Sequence, residues 1–414
     1  MFKRTGNSTP SPALWQQNLW AIWFAEFASI VGFSSVLPIL PFYVQKLGVT
    51  APDAVKFWSG MIFSAHAVTM AVMAPIWGSL ADRYGRKPMV ERAMFGGALV
   101  IGLMVLARSA PQLALLRAFQ GMLTGTVAAA NTLVASTAPR ERVGYAMGLL
   151  QMAIYLGSSV GPLLGGFIAD QWGFHATFLT TSGLLLVGGL MVAFRVHEDF
   201  SPPPRSETSA GTALWDNLRV VFSSPPLVSV FGVRFMMRLA ARALSPMLPL
   251  VVQSLAPAET AATLSGLVQG VNSAAGAGGA VLLGRLSDRW GERRVLLLCA
   301  LSSAALHVPQ YFVRDLPALL LLQAGSGFVM GGTITALSAT LAALAPPGRQ
   351  GTVYGVESTI LSVANAVGPM LSTALAVVGG LRMPFLGAAT LFALAGLLTA
   401  RLLPRSSPIP GNGV

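Results

Sequence analysis

The chain has 414 residues, 54% of them hydrophobic and only 10% charged, with a formal net charge of +12. Soluble domains carry about 25% charged residues, so this composition excludes a water-soluble enzyme or binding module and describes a chain built mostly of membrane-crossing helices. The positive charge does not point to nucleic acid. With both termini cytoplasmic, 18 of the 27 Lys and Arg fall in cytoplasmic segments, five on the opposite side and four inside apolar runs. That is the positive-inside pattern of a multi-pass protein of the inner cell membrane.

A helix needs about 20 apolar residues to cross a bilayer. Twelve candidate runs occur, near 19–42, 58–77, 91–107, 112–136, 145–168, 175–194, 227–252, 263–284, 295–313, 317–344, 354–378 and 383–403, numbered here spans 1 to 12. Residues 1–18 are polar and expected to be disordered. The first run is too long for the apolar core of a secretory signal and reads as an uncleaved span. Pro202-Pro203-Pro204 lies in a polar stretch, 196–226, expected to be a cytoplasmic linker between residues 1–195 and 227–414. The single cysteine, Cys299, excludes an intrachain disulfide and sits in an apolar run as a packing residue.

The two halves are copies of one unit. Gly78-Ser79-Leu80-Ala81-Asp82-Arg83-Tyr84-Gly85-Arg86-Lys87-Pro88 recurs 206 positions later as Gly284-Arg285-Leu286-Ser287-Asp288-Arg289-Trp290-Gly291-Glu292-Arg293-Arg294. Pro38 to Leu47 at the end of span 1 recurs at an offset of 208 as Pro246 to Leu255. Ala138, Pro139, Arg142, Gly144, Gly148, Gly161 and Pro162 recur at 207 as Ala345, Pro346, Arg349, Gly351, Gly355, Gly368 and Pro369. A duplicated set of apolar helices predicts an all-α membrane protein of twelve spans in two pseudo-symmetric six-helix bundles.

The basic turn and its echo, with Arg117-Ala118-Phe119-Gln120-Gly121 in span 4 and Gly157-Ser158-Ser159-Val160-Gly161-Pro162-Leu163-Leu164-Gly165-Gly166 in span 5, closely resemble the signature motifs of the major facilitator superfamily. In particular they resemble its twelve-span drug:proton antiporters of the multidrug and tetracycline efflux type. The resemblance implies a cytoplasmic gate at Gly78, Asp82, Arg83, Gly85, Arg86, Lys87, Asp288 and Arg289, with Asp82 accepting hydrogen bonds from a facing helix N-terminus. A purely topogenic basic loop is the plainer reading. Glu292, where the first copy has Arg86, weakens the second gate. The span 5 motif, Gly157, Gly161, Pro162, Gly165 and Gly166, accompanies export by antiport in the family; small-residue packing without directional meaning is its plainer reading. The string Gly157-x-Ser159-x-Gly161 also spells a nucleophile elbow, but no strand precedes it and no His or acid follows nearby, so no catalytic residue is assigned.

Charges at membrane depth cost roughly 2.5–3.5 kcal/mol each on insertion scales and mark function by default. Only Glu26 in span 1 and Glu357 in span 11 are acids clearly inside apolar runs, which makes them the proton-coupling candidates, with a static ion pair as the plainer role. Arg234, Arg238 and Arg242 in span 7 are spaced by four and stack on one helix face over ~12 Å. Repeat alignment sets Arg234 opposite Glu26, and a pairing between them is expected. With Arg117 the cations outnumber the acids, so the substrate cavity is expected to be positive. Its lining is completed by His66, Gln120, Asn131, Asn272 and Asn365, each of which can equally serve as a helix-joining hydrogen-bonding group.

No metal-ligand cluster or phosphate-cradling loop occurs in the sequence, and no cofactor is expected. The expected function is proton-coupled secondary efflux of small amphipathic compounds, with an anionic or zwitterionic group favoured by the cation surplus. The partners are a small-molecule substrate, protons and membrane lipids, with no nucleic acid, and the protein is expected to be a monomer. A lipid or glycolipid flippase of the same fold, a membrane sensor and a solute:proton importer remain open.

Overall fold

Inside a bilayer every backbone polar group must find a partner within the chain, which favours helices over their full length. The structure, a computed structural model, describes residues 12–198, 200, 224–345 and 350–403. Span 1 consists of α1 (Pro12–Val36), a 3-10 turn (Leu37–Ile39) and α2 (Leu40–Lys46). Spans 2 and 3 are α3 (Pro52–Tyr84) and α4 (Lys87–Leu103). Span 4 is α5 (Ala110–Leu123) followed by α6 (Thr126–Thr137), and spans 5 and 6 are α7 (Val143–Trp172) and α8 (Phe174–Arg195). Span 7 is α9 (Pro225–Ala243) with α10 (Leu248–Gln253). Spans 8 to 12 are α11 (Ala261–Trp290), α12 (Glu292–Phe312), α13 (Leu316–Leu344), α14 (Gln350–Gly379) and α15 (Met383–Leu402).

Eleven of these crossings are apolar enough to be recognised by hydropathy and length. Span 8 is the twelfth. Gln269, Asn272 and a run of glycines and alanines lower its mean hydropathy, yet it is a continuous helix of 30 residues packed between spans 5 and 10. Three expectations are corrected. The N-terminal helix begins at Pro12, so residues 12–18 are ordered helix. The basic turn is shorter than the motif, because α3 runs through Gly78 and Asp82 to Tyr84 and only Gly85 and Arg86 reverse the chain; α11 likewise runs through Asp288 and Arg289. Span 4 is not one helix but two, parted at Thr124 and Gly125. Most of 196–226, including the three prolines, lies outside the described residues.

The halves meet along two seams, span 2 against span 11 and span 5 against span 8. Missing side chains make the approach possible. A Cβ on Gly166 would strike the backbone of Ala262, and one on Gly266 would strike the carbonyl of Pro162. On another face of span 5, Gly157, Gly161 and Gly165 lie against Ile30, Val31, Ser34 and Ser35 of span 1, and the Ser34 and Ser35 hydroxyls donate to the Gly157 and Gly161 carbonyls at 3.1 and 2.8 Å. Span 5 is thus gripped on both sides through small residues.

The described hydrogen bonds between the halves run from near mid-span, where Ser64 donates to the Ala366 carbonyl at 2.7 Å, to the end away from the basic turns. Gln45 and Gln253, matching positions of the repeat, bond each other reciprocally at 2.9 and 3.3 Å across the pseudo-twofold axis. Asp170 at the end of span 5 accepts from the backbone N–H and hydroxyl of Thr263 in the first turn of span 8, at 2.7 and 2.6 Å. At the corresponding place on the other seam, Lys56 in the first turn of span 2 donates to the Ala376 carbonyl at 3.1 Å. The halves are therefore latched at one end, while Asp82, Arg83, Asp288 and Arg289 are exposed at the other.

Overpacking a fitted interior typically costs 1–3 kcal/mol, and here the obstacle is backbone rather than a side chain that can turn away. Gly166→Leu is expected to lose most folded protein by size-exclusion chromatography of detergent extracts. Gly144→Leu, at an exposed position where an added Cβ meets nothing within 4 Å, should leave the monodisperse yield within about twofold of the parent, in keeping with the small effect of unobstructed surface changes.

Candidate functional site

The arginine ladder of α9 faces span 11, and span 11 answers it with two residues on one of its own faces. Arg234 forms an ion pair with Glu357, the two side chains being 13% and 9% exposed. Eight residues further along, Asn365 Oδ1 accepts from Arg238 Nε at 2.8 Å and from Arg242 Nε at 3.0 Å. Gly368 lets the helices close to this distance, since a Cβ there would meet the Cβ and backbone of Arg242. Each ladder position is thereby fixed by its inner nitrogen or by a carboxylate, and the terminal nitrogens of Arg238 and Arg242 have no partner among the described residues.

Across the gap, α5 supplies Arg117, which is buried and donates through Nη1 to Gln120 Oε1 one turn away. Gly121 brings this helix against the His66 carbonyl of span 2, and Thr69 donates to the Ala118 carbonyl at 2.7 Å. His66 sits within Coulombic reach of both Arg117 and Arg242, so the cations of the two halves converge there. Three guanidinium groups, those of Arg117, Arg238 and Arg242, therefore face neutral amide oxygens rather than carboxylates.

The expected pairing of Arg234 with Glu26 is corrected: Arg234 meets Glu357 of its own half. Glu26 lies inside the N-terminal half, fully buried, beside Thr126 at the start of α6. Neither carboxyl oxygen has a well-formed hydrogen bond, while Ser29 donates to Thr126 Oγ1 at 3.2 Å. Repeat alignment matches positions within each half; it does not bring matched positions into contact except near the axis, as at Gln45 and Gln253.

Two other amides divide. Asn131 is partly buried on α6 with no described hydrogen bond. Asn272 belongs to a buried chain joining spans 8, 9 and 10: it donates to the Gln323 carbonyl and Oε1 at 2.9 and 3.0 Å, Gln323 donates to Gln310 Oε1 at 3.0 Å, and Gln310 donates to Ser326 at 2.9 Å. That network holds helices together and leaves Asn272 little capacity for a ligand.

At the basic end Asp82 and Arg83 are exposed, and Asp82 accepts nothing among the described residues. The carboxylate on a helix N-terminus is instead Glu198, which follows span 6. It accepts from Arg86 N at 2.9 and 3.0 Å and from Lys87 N at 2.7 Å, at the start of α4, where the helix dipole favours an anion. Gly85, at φ +99°, supplies the left-handed turn, and a side chain on it would press on Glu198. Lys87 Nζ donates to the Ala193 carbonyl of span 6 at 2.8 Å, and Arg293, its repeat counterpart, donates to the Ala400 carbonyl of span 12. These basic residues tie the third span of each half to its sixth. Glu198 lay outside every apolar run, and only its position just after Arg195 and His197 hinted at a helix-end role.

Breaking a buried pair by removing one partner typically costs 3–5 kcal/mol. Arg234→Glu and Glu357→Arg alone are each expected to lower the thermal midpoint of the purified protein sharply, and the double reversal to recover at least half of the loss. A double variant no better than either single would deny the contact.

A sequence model of the Major Facilitator Superfamily matches residues 22–236 and 230–413. A multidrug resistance protein MdtG of Klebsiella pneumoniae (strain 342) is 34% identical over 382 residues, covering 92% of each chain. A namesake in Enterobacter lignolyticus (strain SCF1) is 33% identical over 401 residues, covering 96% of this chain and 95% of its own. Among solved structures, a bacterial homolog of the human lysosomal transporter Spinster, inward-facing and occupied, superposes with a TM-score of 0.78 at 15% identity, over 97% of this chain and all of its own. With a duplicated twelve-span architecture, two inter-half seams and these relatives, the chain belongs to the Major Facilitator Superfamily of transporters.

Proposed function

We propose that this protein is a proton-coupled exporter of small amphipathic compounds that carry an anionic or zwitterionic group, working by alternating access. The observation that supports the substrate class is the cation surplus between the halves: Arg117, Arg238 and Arg242 are held by amide oxygens, which orient a guanidinium without neutralising it. A bidentate anion matches such forks in geometry and charge. The relatives named for multidrug resistance, at 33 to 34% identity over most of the chain, favour export of foreign compounds.

In this reading residues 1–195 and 227–414 rock as two bundles joined by 196–226, the protein acts as a monomer in the inner membrane, and the basic end faces the cytoplasm. The halves are latched at the far end, so substrate enters from the cytoplasmic side and from the adjoining leaflet. Its anionic group competes with Glu357 for Arg234, releasing that carboxylate, and Glu26 carries the driving proton. Asp82 and Asp288, exposed here, would meet helix N-termini of the opposite half once the cytoplasmic end closes.

The test is transport into everted membrane vesicles energised by an acidic interior, with amphipathic fluorophores of similar size and opposite charge. The anionic probe should accumulate, a protonophore should abolish the accumulation, and Arg238→Gln should lower its rate at least tenfold, about 1.4 kcal/mol of lost interaction. Faster accumulation of the cationic probe would contradict the substrate class.

A further inference from the structure

Span 4 breaks at mid-membrane, and its repeat partner does not. α5 ends at Leu123, Thr124 is extended, Gly125 takes φ +123°, and α6 starts at Thr126. Span 10 runs unbroken from Leu316 to Leu344, through Gly331 and Gly332 at the matching place. A break in a bilayer leaves backbone donors and acceptors without helical partners, each costing several kcal/mol if unsatisfied. On the acceptor side the Met122 carbonyl is taken by Trp77 Nε1 at 2.7 Å, with the Arg92 guanidinium stacked 3.6 Å from the same indole. On the donor side α6 opens with its N-terminus beside Glu26, a fully buried carboxyl with no well-formed hydrogen bond of its own.

No described cation pairs with that carboxyl: α4, which also packs on α6, carries Lys87, Glu91 and Arg92, but Lys87 is paired with Glu91 and Arg92 lies on the Trp77 indole. α1 has no ionisable group other than Glu26, and α6, packed on it, has none. α7 brings Tyr145 and Tyr155 and, at its far end, Asp170, bound to Thr263; α8 brings only His175 and Arg195, at its two ends. A carboxylate here has the positive end of α6 as its counter-charge. A protonated carboxyl loses that attraction.

We propose that Glu26 is an occluded proton site that acts on the substrate cavity through the break in span 4, rather than by competing with substrate for a shared arginine. With Glu26 ionised, its charge holds the first turn of α6 away from α5 and the break at Gly125 persists. Proton binding releases α6, span 4 closes toward a continuous helix, and Arg117 and Gln120, in the last two turns of α5, shift relative to His66. Proton and substrate are then linked allosterically, each biasing one two-state element. The inference rests on the coupling role given to Glu26 and adds the route by which that role reaches the cavity.

The test uses the full-length protein in lipid nanodiscs, with Cys299→Ala and spin labels at Leu115→Cys on α5 and Thr132→Cys on α6, both exposed positions, read by pulsed electron spin resonance from pH 9 to pH 5. The parent should show a label separation that lengthens on acidification in one step. Glu26→Gln should hold the long separation at every pH, and so should Gly125→Ala, whose Cβ disfavours the positive φ. Thr126→Val, which keeps the shape but removes the hydroxyl beside the carboxyl, should fold and move the midpoint. A separation that ignores pH in the parent, a step that survives in Glu26→Gln, or an unmoved midpoint in Thr126→Val would overturn the proposal. Vesicle transport indifferent to protons, alongside an intact spectroscopic step, would count against the exporter reading instead.

Discussion

Apart from Arg92, which stacks on the Trp77 indole, six described side chains that carry charge in water lie at membrane depth, and the arrangement of the functional region follows from how each is kept from lipid. Arg234 and Glu357 neutralise each other. Arg238 and Arg242 lean on a single amide oxygen, Arg117 on another, and Glu26 on nothing but the start of a broken helix. A charge that is paired is held until a ligand displaces its partner; one that is oriented but not neutralised is open to a ligand directly. The second condition holds for three cations facing the gap between the halves and for one acid buried inside a half.

This separation changes the mechanism that charge counting suggests. Two opposite charges at matching places of a repeat invite the idea of direct competition, in which a proton frees a cation for substrate. Here the acid lies in one bundle and Arg238 and Arg242 in the other, and the span that bears Arg117 at one side of its break and Thr126 at the other runs between the acid and the third cation. The rest of the scaffold is notably symmetric: Lys87 and Arg293 make the same tie, Gln45 and Gln253 bond each other, and Asp170 and Lys56 close equivalent corners. Symmetric contacts hold the bundles, and the departures from symmetry at Glu26, Arg234 and span 4 coincide with the polar groups at depth.

Much of the architecture was legible in the sequence because hydropathy and repetition are properties of the chain itself. Twelve runs, two halves, and an arginine face set by a spacing of four needed no coordinates. Span 8 was legible by eye but not by hydropathy, since its glycines and amides serve close packing and the Asn272 network. Contacts between helices were not legible. That Arg234 would choose Glu357 depends on how span 11 lies on span 7, which is decided by Gly368 and its neighbours. The Glu198 cap joins residues more than a hundred positions apart, and no local pattern announces it. The break at Gly125 was hidden for a further reason: Thr124-Gly125-Thr126 lies within an apolar run and reads as ordinary helix.

The central claim is that the two buried acids have different duties, Glu357 as a carboxylate neutralised by Arg234 and Glu26 as the group that takes up a proton. Infrared difference spectroscopy across a pH step, on the purified protein in lipid, observes a protonated carboxyl directly through its C=O stretch. The account predicts a band that disappears in Glu26→Gln and persists in Glu357→Gln. A band that instead vanishes with Glu357 and survives the loss of Glu26 would contradict it.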